Sequence, residues 1–179
     1  MKKITALLFC MIFLLSACSG KTEFNESDIL SYVGEGEMTM IRMLVDTNGF
    51  FVEDVFVAGH LPVDEKNTVE NADGTFALVV SDKIKSYAEL ESMVRSTYAA
   101  KAADKLLSDG RYQEINGKLY FNMKYNESSD YSLDWSESKT QATVTEEGKY
   151  EITAKIKGGK ITLYAVKENG NMRLENIYS

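Results

Sequence analysis

The sequence predicts an α+β protein: a mainly helical N-terminal unit, then a helix or helix pair packed on a curved antiparallel sheet. Three observations in the 179 residues carry this. Apolar residues recur at helical spacing over 28–46 and again over 86–108, where Leu90, Val94, Tyr98, Ala102 and Leu106 follow at intervals of four. In 149–157, Tyr150, Ile152, Ala154 and Ile156 alternate with Glu151, Thr153, Lys155 and Lys157, the signature of a sheet buried on one face. Turn residues at Asn116-Gly117, Glu147-Gly148, Gly158-Gly159 and Asn169-Gly170 then punctuate the C-terminal half as an antiparallel meander. The apolar face of that sheet must be covered, and the 86–108 helix is the natural cover.

Taken in order, residues 1–17 read as a leader. Lys2 and Lys3 form a basic n-region, and residues 4–14 are an apolar run too short for a stable membrane span. Leu15-Ser16-Ala17-Cys18 has the form of a lipobox. The resemblance to bacterial lipoprotein signals implies cleavage before Cys18 and a diacylglyceryl thioether on its sulfur. The plainer alternatives are an ordinary secretory signal, or an N-terminal anchor with an incidental Cys18. Two acyl chains hold a protein stably at a membrane where one is marginal. The expectation is therefore an extracytoplasmic protein, lipid-anchored to the bacterial membrane, with residues 18–27 as a short lipidated tether. Ser19 leaves inner and outer membrane both open.

Residues 28–74 form the N-terminal unit. Ser27 or Asp28 can cap a helix over 28–46 whose face carries Ile29, Val33, Met40, Ile41, Leu44 and Val45. Gly34 and Gly36 each weaken it by about 1 kcal/mol relative to Ala, which admits a break, and Asn48-Gly49 supplies a stop. Residues 50–57 are apolar and β-branched enough for a strand, with a second helix as the alternative. Residues 60–74 read as loop, with turn signals at Leu61-Pro62 and Asn71-Ala72-Asp73-Gly74.

The sheet domain spans 75–179 and opens with a strand over 75–80. Ser86-Tyr87-Ala88-Glu89 is a capping box, in which the serine hydroxyl accepts from the Glu89 amide. The helix it starts runs toward Gly110, with Ser96-Thr97 marking a kink or a break into two. Asn116-Gly117, between 111–115 and 118–123, is the strongest hairpin signal, because a type I′ turn needs positive φ at both central residues. Strands over 140–145 and 149–157 flank Glu146-Glu147-Gly148, and further strands follow over 160–166 and 172–178.

The chain is poor in reactive side chains. Once Cys10 leaves with the leader and Cys18 is alkylated, no free thiol or disulfide remains. His60 is the sole histidine and sits in Val57-Ala58-Gly59-His60-Leu61-Pro62, with no nucleophile motif around it and no Gly-x-Ser-x-Gly elsewhere. No His/Cys cluster offers a zinc site, and Gly34-Glu35-Gly36 lacks the remaining elements of a phosphate loop. No cofactor or metal is expected. With 27 Asp and Glu against 20 Lys and Arg the net charge is −7, and loss of Lys2 and Lys3 takes it to −9. That balance argues against nucleic acid, whose binding rests on Lys and Arg neutralising phosphates. It fits a basic protein partner steered by long-range attraction, or simply a soluble surface.

From residue 76 onward the chain resembles the DL-endopeptidase inhibitor family (IseA-type). The resemblance lies in the order of five segments: a strand followed by Lys85-Ser86-Tyr87-Ala88-Glu89-Leu90; an aromatic helix end at Thr97-Tyr98; Tyr112-Gln113-Glu114-Ile115-Asn116-Gly117-Lys118-Leu119-Tyr120; the acidic Ser129-Asp130-Tyr131-Ser132-Leu133-Asp134-Trp135; and Lys167-Glu168-Asn169-Gly170-Asn171-Met172-Arg173-Leu174. It implies a cone-like sheet of the cystatin/SnoaL-like kind. It also implies a non-catalytic role: binding NlpC-type cell-wall peptidases, which cut D-γ-glutamyl–diamino-acid bonds, and blocking their active sites with a loop. A lipid anchor departs from the freely secreted members of that family and leaves the target open.

The segment 126–138 is the candidate for such a loop. It sets Glu127, Asp130, Asp134 and Glu137 around Tyr131 and Trp135, the only tryptophan. Aromatic anchors within a charged rim suit an interface; alternatively the two aromatics plug the core and the carboxylates are merely solvated. Glu146-Glu147-Gly148 is the next acidic turn. Two other classes compete with a peptidase inhibitor or modulator. One is an envelope ligand-binding or accessory lipoprotein, with a pocket lined by Tyr112, Tyr120, Tyr150 and Tyr164. The other is an acid–base hydrolase using paired carboxylates such as Asp130 and Asp134, which nothing in the motifs supports.

Overall fold

A computed structural model describes residues 32–126 and 133–177. The leader, Cys18, the tether, the expected helical turns from Asp28 to Ser31, and Tyr178 and Ser179 lie outside them. Helices pack on two antiparallel sheets, one of them curled as half a barrel, so the mixed α+β class with a helix on a curved sheet is what the chain adopts. The C-terminal meander is divided between the two four-stranded sheets rather than forming one.

The first helix, α1 (Glu35–Phe51), starts at Gly34, whose extended backbone makes the N-cap without a side-chain cap. Glycine at this position begins the helix instead of breaking it. Asn48-Gly49 does not end it, and residues 50–57 are not a strand: the helix runs on through Phe51 into a π-helical turn, Val52–Phe56. The local stop signal is overridden by tertiary packing. Asn48 is fully buried and its Oδ1 accepts from the Tyr98 hydroxyl at 2.8 Å. A Cβ on Gly49 would lie 2.9 Å from the Trp135 Cβ, so glycine is what lets the helix approach the sheet.

Residues 60–74 also differ from the loop expected of them. β1 (Val63–Asn71) pairs with β2 (Gly74–Val79) across a two-residue turn, with an irregularity between Asp64 and Thr68. No residue of β1 is buried, so it has no hydrophobic pattern to read. β3 (Tyr112–Ile115) and β4 (Lys118–Asn122) form the expected hairpin, with Asn116 at φ 52° and Gly117 at φ 73°. They complete a sheet in the order β1-β2-β4-β3.

Between these hairpins lie α2 (Tyr87–Thr97) and α3 (Ala100–Leu107). Ser86 Oγ accepts from the Glu89 amide at 3.2 Å, and Glu89 Oε2 reaches back to the Lys85 amide at 2.7 Å. The break between the helices falls at Tyr98–Ala99, one residue beyond the expected Ser96-Thr97. Tyr98 is extended, and the Ala99 amide donates to the Leu174 carbonyl at 2.8 Å. The interrupted helix thus lends its backbone to the sheet edge.

The second sheet runs β5 (Asp134–Glu146), β6 (Lys149–Lys157), β7 (Gly159–Glu168), β8 (Asn171–Leu174), in sequence order. Tyr150, Ile152, Ala154 and Ile156 are all buried, as the alternation requires. α1 packs against β5 and β8, and α2 against β8 and β3, so the N-terminal helix shares the covering role expected of 86–108 alone. One core joins Ile41, Val45 and Phe51 of α1 to Leu90, Phe121, Ile152 and Leu163.

Candidate functional site

The link from the first sheet to the second carries the candidate binding segment. β4 leads into a 3₁₀ turn, Met123–Tyr125, and Asn126; Glu127, Asp130 and Tyr131 lie outside the described residues, and the chain is described again from Leu133. Both flanks are tied to the body. On one side, the Leu61 carbonyl can only accept, so its 2.7 Å contact puts the proton on His60 Nδ1. His60 Nε2 lies 2.7 Å from the Asn126 carboxamide, and the ring stacks on Phe121 at 4.2 Å. On the other side, the Trp135 amide donates to Glu53 Oε1 at 3.0 Å.

Of the candidate residues, Trp135 is only 6% exposed and fills the space over Gly49, so it belongs to the core and not to an exposed interface anchor. Burying the indole against a glycine offsets more apolar surface than a rim position could. Asp134 is half exposed: it accepts from the Ser136 amide at 2.9 Å and lies 3.7 Å from Lys157 Nζ. The Ser136 hydrogen bonds, and then Lys157, hold its carboxyl below the usual range. Glu137 is exposed. Around the segment, the structure therefore presents carboxylates outward and the aromatic inward.

His60 shares a small cleft of about 330 Å³ with Ser81, Asp54 and Asp82, a serine–histidine–carboxylate set that spacing in the sequence does not reveal. A triad needs the ring aimed at the nucleophile. Here both ring nitrogens are engaged by Leu61 and Asn126, while Ser81 Oγ accepts from the Lys83 and Ile84 amides at 3.1 and 3.3 Å. Among the described residues, no group of three or more His, Cys, Asp or Glu side chains is placed to hold a metal ion. No described helix is long and apolar enough to cross a membrane.

The four tyrosines proposed to line one pocket do not converge. Tyr112 is buried, donating to the Val55 carbonyl at 3.1 Å and accepting from the Leu61 amide at 3.0 Å, and burial pushes its hydroxyl pKa up. Tyr120 is buried in β4 next along the strand from Phe121, which places it on the opposite face from Tyr112's partner. Tyr164 is exposed beside Lys101 and Lys105. Tyr150 instead meets a charged pair that the sequence does not announce, because its members are more than 100 residues apart. Its hydroxyl donates to Glu37 Oε1 at 2.8 Å, and Lys167 Nζ donates to the same oxygen at 2.8 Å. Lys167 and Tyr150 hold the Glu37 carboxyl below its ordinary range, while burial and then Glu37 push Tyr150 up to about 12. The triad ties the first turn of α1 to β6 and β7, in an open cleft that also contains Glu147 and Gly148 of the second acidic turn.

Compared with known proteins, the chain matches no family model and no curated protein.

Proposed function

We propose that this is a non-catalytic, extracytoplasmic protein, lipid-anchored through Cys18, that binds an NlpC-type cell-wall DL-endopeptidase through the acidic segment 126–138 and restrains it. The observation that carries the reading is the fixing of both flanks: Asn126 is held by His60, and Trp135 is buried over Gly49 with its amide on Glu53. A segment whose ends are pinned gives up less freedom on binding than one hung from loose ends. Asp134 and Glu137, with Glu127 and Asp130, add four carboxylates that attract a basic rim and raise the association rate. The order of segments from residue 76 that resembles the inhibitor family supplies the class of partner.

Stopped-flow association with a purified NlpC-type peptidase, across a salt series, tests it. Replacing Glu127, Asp130, Asp134 and Glu137 by Gln or Asn keeps shape and removes four charges. The variant stays folded, because the Asp134–Lys157 pair is exposed and such pairs contribute little. It associates more slowly than wild type and with a flatter salt dependence, since screening shortens to about 8 Å near physiological ionic strength. Equal rates at every salt concentration, or no binding by wild type, overturn the assignment. The anchor is tested apart: Cys18→Ala releases the folded protein from the membrane fraction.

A further inference from the structure

Between α1, α2 and β8 lies a cavity of about 460 Å³, within the range of about 300–1,000 Å³ common to small-molecule sites. Its apolar lining comes from Met40, Met43 and Leu44 of α1, Met93 of α2 and Met172 of β8. Among them stands one cation, Arg173, whose Nε is buried without a hydrogen-bond partner. We propose that this cavity binds an amphiphilic monoanion, a linear alkyl carboxylate, with its carboxylate on Arg173 and its chain between the methionines.

The head end rests on donors that lack acceptors. A buried N–H left unpaired is costly, and more so on a charged group. Glu168 does not meet the need: its Oε2 lies 3.9 Å from Nη1, beyond hydrogen-bond reach and at a different nitrogen. Arg111 also has a buried Nε without a hydrogen bond, but Asp109 Oδ2 stands 3.5 Å from that nitrogen. At Arg173 the corresponding place is empty of carboxylate, and a carboxylate is the group that pairs with a guanidinium edge through two parallel bonds. The backbone supplies a second donor. The Glu175 amide donates to the Tyr164 carbonyl and the Lys167 amide to the Gly148 carbonyl, so alternate residues of β7 face β8 and β6. Lys167 is opposite Met172, so the Met172 N–H turns away from β7, to the edge where the Ala99 amide meets the Leu174 carbonyl. The hydroxyls of Thr47, Ser96 and Thr97 donate to the Met43 and Met93 carbonyls of their own helices and bring no charge. One cation and no carboxylate in the lining select a head with a single negative charge.

The tail end rests on the methionines. Met40 and Met43 are one helical turn apart and share a face. Met43 is 65% exposed, while Met172 is 5% exposed, so the apolar lining runs from solvent to the edge of β8. An alkyl chain laid along it covers Met43. Methionine has three rotatable side-chain bonds, and moulds to a chain with no fixed shape as it does at adaptable binding surfaces. The competing account is that methionine fills irregular gaps between helices and sheet, and that an ordered water caps the Arg173 Nε. That account predicts no preference for a negative head.

The probe is octanoate labelled with carbon-13 at the carboxyl, titrated into the full-length chain in a non-ionic detergent. In methionine methyl NMR spectra it shifts the Met40, Met43, Met93 and Met172 signals together, saturates at one equivalent per chain, and leaves Met38 and Met123 in place. Affinity rises about fourfold with each methylene from hexanoate to octanoate, the equivalent of about 0.8 kcal/mol per buried methylene. Octanol, with the same chain and no charge, binds about 10-fold or more weakly. The carboxyl signal of the bound probe titrates about 1–3 pH units below that of free octanoate, as beside a guanidinium, whereas uptake into micelles moves it upward by desolvation. Arg173→Gln, measured at the same detergent concentration, weakens octanoate by about 10- to 100-fold and leaves octanol binding unchanged, which separates loss of the charge from collapse of the cavity. Met43→Glu, at an exposed position that cannot threaten the fold, sets a like charge at the mouth and weakens octanoate by about threefold, less at high salt. Equal affinity for octanoate and octanol, unchanged octanoate affinity in Arg173→Gln, or equal shifts at Met38 and Met123 overturns the site and leaves the methionines as packing.

Discussion

The two four-stranded sheets reach the same architecture with different resources. In the second, β6 buries every other residue, from Tyr150 to Ile156, and each neighbour follows it through a short turn. In the first, β1 buries nothing and carries Asp64, Glu65 and Lys66 along its length, while β4 buries four consecutive residues, Leu119 to Asn122. One sheet is written in side chains; the other is held at its edge by backbone pairing and at its centre by cover on both faces. Charge along an exposed edge strand also discourages pairing with other chains.

The widest test of this contrast is a pair of truncations, one in each sheet. Ile152→Ala removes a fully buried side chain from β6 and is expected to cost about 2–5 kcal/mol of stability. Val69→Ala in β1 removes a half-exposed one and is expected to cost under about 1 kcal/mol, the span of strand propensity in a host protein. Urea unfolding of both variants decides it. Comparable losses would mean that β1 depends on side-chain burial after all.

The same contrast accounts for what could be read in the sequence. Alternation at 149–157, the capping box at Ser86 and the positive-φ turn at Asn116-Gly117 are local rules, and each is obeyed. β1 escaped because an exposed edge strand needs no apolar period. The continuation of α1 past Asn48-Gly49 escaped because the reason for it, Trp135, is 86 residues away. Trp135 itself reads from the sequence as core or as anchor, and only its seat over Gly49 separates the two. The Glu37–Tyr150–Lys167 triad joins Glu37 to partners more than 100 positions away, with no spacing that could reveal it.

Gly49→Ala probes the seam between helix and second sheet. Alanine gains about 1 kcal/mol in helix propensity, but its Cβ meets the Trp135 Cβ, Cγ and Cδ2 at 2.9, 3.0 and 3.1 Å. Overpacking of this kind costs about 1–3 kcal/mol, so a net loss of about 1 kcal/mol is expected, with a changed near-ultraviolet dichroism of the single tryptophan. A more stable variant with an unaltered spectrum would show that Trp135 is free to yield, and would undo the explanation for a glycine inside α1.

Where both sheets use the same local device, the contrast should vanish. Asn116-Gly117 and Asn169-Gly170 have matching positive φ values, 52° and 73° against 52° and 80°, and no atom lies within 4 Å of a Cβ built on either glycine. Valine at Gly117 or at Gly170 should therefore cost the same, about 1–2 kcal/mol, from backbone strain alone. Melting temperatures that fall equally confirm a purely local demand. A larger fall in one sheet would mean that its hairpin is also under tertiary tension.

The smallest expected effect lies in the triad that fastens α1 to the second sheet, and it has two limbs. Glu37 has a depressed carboxyl, held down by Lys167 and then Tyr150. Its contribution is present in full above the ordinary value of 4.5 and is lost as pH falls through the lower folded value. Tyr150 is displaced the other way, from 10.0 to about 12, so its contribution is present below pH 10 and lost as pH rises through 12. Burial is the larger cause of the Tyr150 shift and Glu37 the smaller. Glu37→Gln should therefore flatten the acid limb of the stability profile and leave most of the alkaline limb standing. At neutral pH the loss should be under about 1 kcal/mol, because a pair with one side chain over a third exposed is screened by solvent. Thermal melts of both proteins from pH 3 to 11 separate the limbs. Loss of both together would mean that the carboxylate, rather than the burial of Tyr150 against the sheet, sets the tyrosine's displacement.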